Sequence, residues 1–250
     1  MSVEPALAAL VLPPGLALGS FLNVVAQRVP VGRSVVAPAS ACGQCSTPIA
    51  WHDNIPIVSY LLLRGRCRSC AGPISVTYPL VELVTAFLMV ACVLTFGLTL
   101  DAAVAAFFCA VLVAVSVTDL QRRIIPNAIV LPAAAVLLVA QTALHPTAEW
   151  AVGAFGAALF LFIAAVAYPG GMGMGDVKLA LVLGAMLGRS VTAALMLAML
   201  AALVPAVVLL ARHGSAARKM AIPFGPFLAG GGLVGLFAGE RLLDAYLSLL

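Results

Sequence analysis

Apolar runs follow one another along almost the whole chain, many of them close to the length that crosses a bilayer. They lie at Ala6–Gln27, Tyr78–Leu98, Ala102–Leu120, Ile125–Thr142, Trp150–Tyr168, Val177–Leu187, Val191–Ala211 and Pro223–Leu247. Inside hydrocarbon a backbone N–H or C=O finds no water, so a run of about 20 apolar residues is confined to helix. A soluble helical core is excluded by composition, since charged residues make up 9% of the chain against about 25% in soluble domains. The first run has no basic flank and continues into "GSFLNVVAQRVP" without a small-residue cleavage site, so it reads as a span rather than a cleavable signal. The expected fold is an all-α polytopic membrane protein of about eight transmembrane helices, its partner the lipid bilayer.

Charge placement orients these helices. With eight spans and the N-terminus outside, eleven of the thirteen Lys and Arg residues fall in inside loops, among them Arg64, Arg66, Arg68, Arg122, Arg123 and Lys178. Arg189 and Arg241 alone fall outside, the asymmetry the positive-inside rule describes. Fusing the short sixth run with the seventh would send Arg212, Arg218 and Lys219 outside, so a hairpin is expected at Gly188-Arg189-Ser190. Nothing in the chain points to nucleic acid.

The largest polar insertion, residues 29–77, separates the first span (1–28) from the remainder (78–250) and reads as a small cytoplasmic domain. It holds "CGQC" (Cys42, Cys45) and "CRSC" (Cys67, Cys70). Two such turns deliver two thiolates each, which suits a tetrahedral, zinc-ribbon-like Zn2+ site. A closed site of this kind scaffolds rather than catalyses, and it supplies folding energy to a segment too short for its own core. A redox CxxC and metal-free reduced thiols are the alternatives. Cys92 and Cys109 sit in apolar runs as small core residues, His52, His145 and His213 read as loop residues, and no internal repeat is evident.

Three carboxylates lie in or at the ends of apolar runs: Glu82, Asp119 and Asp176. Ionisable groups there are costly and point to function. The topology puts Asp119 and Asp176 at one membrane depth on different helices. Two aspartates sharing a site hold one proton between them, so one activates water while the other polarises a peptide carbonyl. Gly173 and Gly175 in "GGMGMGDVKL" would admit a substrate backbone beside Asp176, and Lys178 is expected to tune the local charge. Each acid also has a plainer role. Asp176 would cap a helix beginning at Val177 or pair with Lys178, and Asp119 would answer Arg122 and Arg123. Glu82 binds a cationic group or hydrogen-bonds a neighbouring helix. A proton-relay transporter and a non-enzymatic scaffold are the rival classes.

Together these residues resemble the bacterial type IV prepilin peptidases, a family of GxGD-type aspartic proteases. The likeness runs in order through "GSFLNVVAQRVP", the cysteine segment with "YPLVELVTA", "DLQRRIIPN", "GMGMGDVKL" and "IPFGPFLA". The resemblance implies cleavage of prepilin or pseudopilin leaders at the cytoplasmic face of the inner membrane, with Asp119 and Asp176 as the catalytic pair. It also implies S-adenosylmethionine-dependent N-methylation of the new N-terminus, associated with the cysteine domain and, in the adjoining motif, Glu82; a protease-only member of the family is the alternative. Thr77 departs from the family, which often has a basic residue before "YP".

Overall fold

The computed structural model describes residues 3–168, 171–214 and 222–248; Gly170, Arg218 and Lys219, invoked above, lie outside them. Among the described residues regular structure is helical, with two isolated β-bridges and no strand. The helices are α1 (Val3–Arg28), α2 (Val58–Leu62), α3 (Thr77–Phe96), α4 (Leu100–Arg122), α5 (Asn127–Leu144), α6 (Glu149–Ala167), α7 (Met174–Leu187), α8 (Val191–His213) and α9 (Gly225–Leu247). Among the described residues six stretches are long and apolar enough to cross a membrane, so the chain is a multi-pass membrane protein. The last of these, Met174–His213, is broken at Gly188–Ser190 into α7 and α8. Gly188 takes φ +53° there, a conformation suited to glycine. The break falls where the charge argument requires one. The chain divides into two compact units, Met1–Ala114 and Val115–Leu250, with the boundary inside α4.

In the first unit α1 and α3 pack closely because α1 presents glycine. A Cβ on Gly19 would stand 2.5 Å from the Glu82 Cα, and one on Gly15 2.7 Å from the Ala86 Cα. Polar residues on the last turns of α1 are answered by α3: the Asn23 side-chain amide donates to the Tyr78 carbonyl at 3.1 Å, and that of Gln27 to the Tyr78 hydroxyl. Cys92 and Cys109 are buried with their sulfurs 3.7 Å apart, as core residues.

The inserted segment corrects one sequence expectation, because it is built from a repeat. "SACGQCSTPI" (40–49) and "GRCRSCAGPI" (65–74) fold into two equivalent turns. In each, the first cysteine N–H bonds the carbonyl five residues on: Cys42 to Thr47, Cys67 to Gly72. In each, a left-handed residue follows the second cysteine, Ser46 at φ +57° and Ala71 at φ +55°. A bridge closes each turn, Ala41 with Pro48 and Arg66 with Pro73. The two copies share little beyond Cys, Pro and Ile, so the likeness resides in the backbone.

In the second unit α7 packs against α6 and α5, and α8 against α9. The α6–α7 contact is backbone on backbone, as small residues allow in membranes. A Cβ on Gly153 would meet the Gly188 carbonyl oxygen at 2.7 Å, and one on Gly184 would fall onto the Gly153 carbonyl. Gly184→Val is therefore expected to destabilise the second unit by about 3 kcal/mol, the upper end of typical overpacking. Thermal unfolding in detergent reads this as a lowered midpoint, whereas Gly156→Val, where a Cβ meets nothing within 4 Å, leaves the midpoint in place.

Candidate functional site

Asp119 stands one turn before the end of α4 and is buried, 6% exposed. The helix ends as Arg123 turns left-handed, φ +55°, its N–H still bonded to the Asp119 carbonyl. The Asp119 Oδ2 accepts the N–H of Gly225 at 2.9 Å. That N–H belongs to the first residue of α9, one of the donors a helix N-terminus leaves without an intrahelical partner. A side chain at this position would collide with the carboxylate, since a Cβ on Gly225 would lie 2.8 Å from Oδ2. Gly225 is a site residue the sequence reading passed over, although "IPFGPFLA" contains it.

Asp176 is the third residue of α7, buried at 9% exposure, and its Oδ2 accepts the N–H of Gly173 at 3.2 Å. The helix thus starts at Met174, before the position expected, and Asp176 does contribute to its cap. Lys178 does not pair with it: the ammonium donates to Asn127 Oδ1 at 2.8 Å, tying α7 to α5. The two carboxylates lie on segments that meet where Gly175 packs against Ile125. Each engages one oxygen, and among the described residues no hydrogen bond reaches the other oxygen of either. Such a pair can hold a water and share a proton.

The glycines beside Asp176 differ in what they make room for. A Cβ on Gly173 would meet the Asp176 carboxylate at 3.3 Å and the Gly175 nitrogen at 3.9 Å, with open space otherwise. Gly175 is packed, since a Cβ there would stand 2.8 Å from the Ile125 Cβ. Its lack of a side chain admits Ile125, from the segment after Asp119, rather than a visiting peptide. Gly175→Ala is expected to lower activity several-fold by pushing the two aspartate-bearing segments apart, and Ile125→Ala in the same chain to restore most of it. Initial rates of the single and double variants test this.

The four cysteines of the insertion converge, their sulfurs all within 4.8 Å of one another. No disulfide joins them, and Cys42 and Cys70 are 3.8 Å apart. A tetrahedral zinc with Zn–S bonds of about 2.3 Å spaces its sulfurs by about 3.8 Å, so the cluster fits a metal of that kind. Thr47, through its hydroxyl and its N–H, brings the Cys45 thiol down to about 6. The N–H groups of Cys70 and Ser69 lower Cys67. At Cys70 the Gly72 N–H acts downward, but hydrogen bonding with Cys45 and the other thiols outweighs it and pushes the group up to about 11. Beside the cluster Arg68 grips Asp53 with two hydrogen bonds, 2.7 and 2.6 Å, which holds the Asp53 carboxyl below the usual range.

Glu82 belongs to the first unit, not with the aspartates. It is 7% exposed and borders a cavity of about 430 Å³ between the cysteine turns, the C-terminal end of α1 and the N-terminal end of α3. Its Oε2 accepts the N–H of Ile57 at 2.8 Å. Ile57 has φ +60°, which a β-branched residue rarely adopts, so the carboxylate pins a strained turn of the insertion onto α3. Glu82 thus bonds the inserted segment, and Ser20 of the neighbouring helix α1 lies beside the same carboxylate. The cavity is of a size that encloses small molecules.

Comparison with known proteins follows the same division. The pattern of the bacterial peptidase A24 N-terminal domain matches residues 14–96, and that of the type IV leader peptidase family matches residues 106–211. A prepilin leader peptidase/N-methyltransferase of Bacillus subtilis (strain 168) is 37% identical, over 94% of this chain and 96% of its own. Proteins of the same name from Aeromonas hydrophila and Pseudomonas aeruginosa are each 34% identical, each over 93% of this chain and 91% of their own. No solved structure matches the chain.

Proposed function

We propose that this chain, which belongs to the type IV leader peptidase family, cuts the leader from prepilins or pseudopilins with Asp119 and Asp176 and then methylates the new N-terminus. What supports the peptidase reading is two buried carboxylates on separate helices, on segments that touch at Gly175 and Ile125, each with one oxygen uncommitted. In the working state one carboxylate is ionised and the other protonated. The ionised one takes a proton from water as the water oxygen attacks the scissile carbonyl carbon. The protonated one donates to the carbonyl oxygen and stabilises the tetrahedral adduct. Collapse of that adduct expels the amine, which leaves with a proton returned by a carboxyl group. Gly225 N–H and Gly173 N–H hold the two carboxylates in place, Gly173 keeps one side of Asp176 open, and Lys178 fixes α7 against α5.

The positive-inside asymmetry supports an N-terminus outside and a cytoplasmic cysteine domain, with the aspartates at the cytoplasmic end of their helices. A leader is a short basic segment ahead of an apolar helix, so its cleavage site lies at that same interface. Residues 29–77 serve the methyl transfer and residues 78–250 the cleavage. Cys42, Cys45, Cys67 and Cys70 would hold Zn2+ as a scaffold, and the cavity beside Glu82 would hold S-adenosylmethionine. That cofactor supplies an activated methyl group, and the cavity's residues orient it toward the newly exposed amine.

Purified protein in detergent, given a prepilin-type precursor and S-adenosylmethionine, is expected to yield a product shortened by the leader and heavier by one methyl group. Mass spectrometry reads both events. Absence of the shortening contradicts the peptidase reading, and shortening without the methyl gain contradicts the methyl-transfer reading alone.

A further inference from the structure

The charges that line the cavity of the first unit do not cancel locally. Four side chains with a fixed formal charge border it: Arg28, Asp53, Arg68 and Glu82. Arg68 and Asp53 neutralise one another through their double hydrogen bond. Arg28 and Glu82 are left. Among the described residues no carboxylate reaches ion-pairing distance of Arg28, and no cation reaches it from Glu82.

Their placement separates them. Arg28 ends α1, while Ser20 of the same helix lies beside Glu82. At about 1.5 Å rise per residue, Arg28 stands about 12 Å along the helix from the Glu82 end. Between them α1 presents Asn23 and Gln27 to the same cavity. Arg28 is partly buried as a residue, and its guanidinium donates through Nη1 to the Ser34 carbonyl at 3.0 Å in an exposed hydrogen bond. This steadies the side chain and leaves Nε and Nη2, the edge that grips a carboxylate through two parallel bonds. A pocket with one cation and one anion at its two ends, neither with an ion-pair partner among the described residues, suits a zwitterion, not an apolar or uniformly charged molecule.

We propose that Arg28 binds the α-carboxylate of the methyl donor's amino-acid end, while Glu82 faces the polar or cationic groups further along the same molecule. This rests on the methyl-transfer reading above and adds to it the orientation of the donor. Arg28 is then a binding residue for the cofactor, and the guanidinium selects donors that carry a carboxylate.

The test compares two probes, S-adenosylmethionine and its decarboxylated form, which keeps the sulfonium and the amine and lacks only the carboxylate. Binding to the full-length protein in detergent is measured by titration calorimetry for wild type and for Arg28→Gln, with folding of the variant checked by thermal unfolding. Wild type is expected to prefer the intact donor by about 10–100-fold, the range for a charge-assisted bidentate contact. In Arg28→Gln the intact donor weakens to the level of the decarboxylated one, whose own affinity stays close to wild type. Equal binding of both probes by wild type overturns the assignment and leaves Arg28 as an interfacial charge facing lipid phosphate. Failure of wild type to bind either probe overturns this proposal and the methyl-transfer reading together. Should the variant not fold, the wild-type ratio alone decides.

Discussion

Removal of the zinc proposed for the four-cysteine cluster is expected to abolish methyl transfer while leader cleavage continues. A structural zinc contributes about 10–16 kcal/mol to the fold of a small domain. The insertion has little to replace it, with two short turns, one five-residue helix and the Asp53–Arg68 pair. One wall of the cavity is made by those turns, through Cys42, Gly43, Gln44, Cys67 and Gly72. Even Gln44 depends on the paired turn, since its side chain lies where a Cβ on Gly72 would be. Without the metal the wall has no fixed shape, and donor binding is lost with it. Asp119 and Asp176 belong to the other unit and share no residue with the cluster. Metal content, methyl transfer and cleavage are measured on the same samples before chelation, after chelation and after zinc is restored, with Cys67→Ser as the genetic counterpart. Parallel loss of both activities would show that the cysteine domain supports cleavage as well.

The parts of this architecture visible in the sequence share one property: each is signalled within a few residues. An apolar run is its own evidence for a spanning helix, and α3 begins at Thr77, one residue from where the run begins. Cys42, Cys45, Cys67 and Cys70 declare a metal site by spacing. Asp119 and Asp176 stand out because a carboxylate costs so much where they are.

What the sequence withheld depends on groups distant along the chain or on the backbone. Gly225 meets Asp119 from 106 residues away, and only the fold reveals that its N–H is a ligand to the carboxylate. Gly175 looked like space for a substrate, yet it is filled by Ile125. Nothing next to Glu82 in sequence signals that its carboxylate also accepts the N–H of the strained Ile57, 25 residues away. The repeat in the insertion escaped because left-handed Ser46 and Ala71 are not glycines and carry no turn signature. The uncommitted state of Arg28 emerges only once Arg68 and Asp53 are seen to satisfy each other.

The largest loss of activity is expected at the aspartates. Replacing either by asparagine removes the general acid or base while keeping the shape. Asp119→Asn keeps a side-chain oxygen that can still accept the Gly225 N–H, and Asp176→Asn keeps one for the Gly173 N–H, so the start of α9 and the cap of α7 survive. The alternative role of Asp176 as a simple cap therefore predicts little change, because asparagine caps as well as aspartate does. A catalytic pair predicts a fall of about 10²–10⁴-fold for each single substitution. The double variant should be no worse than the singles, since one member of the pair is useless without the other.

The deciding measurement is the rate of leader release from a prepilin-type substrate by wild type, Asp119→Asn and Asp176→Asn, purified in detergent and matched for thermal midpoint. The account predicts that wild type releases the leader and that both variants do so about 10²–10⁴-fold more slowly while folding as wild type does. Cleavage at close to the wild-type rate after either substitution contradicts the paired-aspartate site.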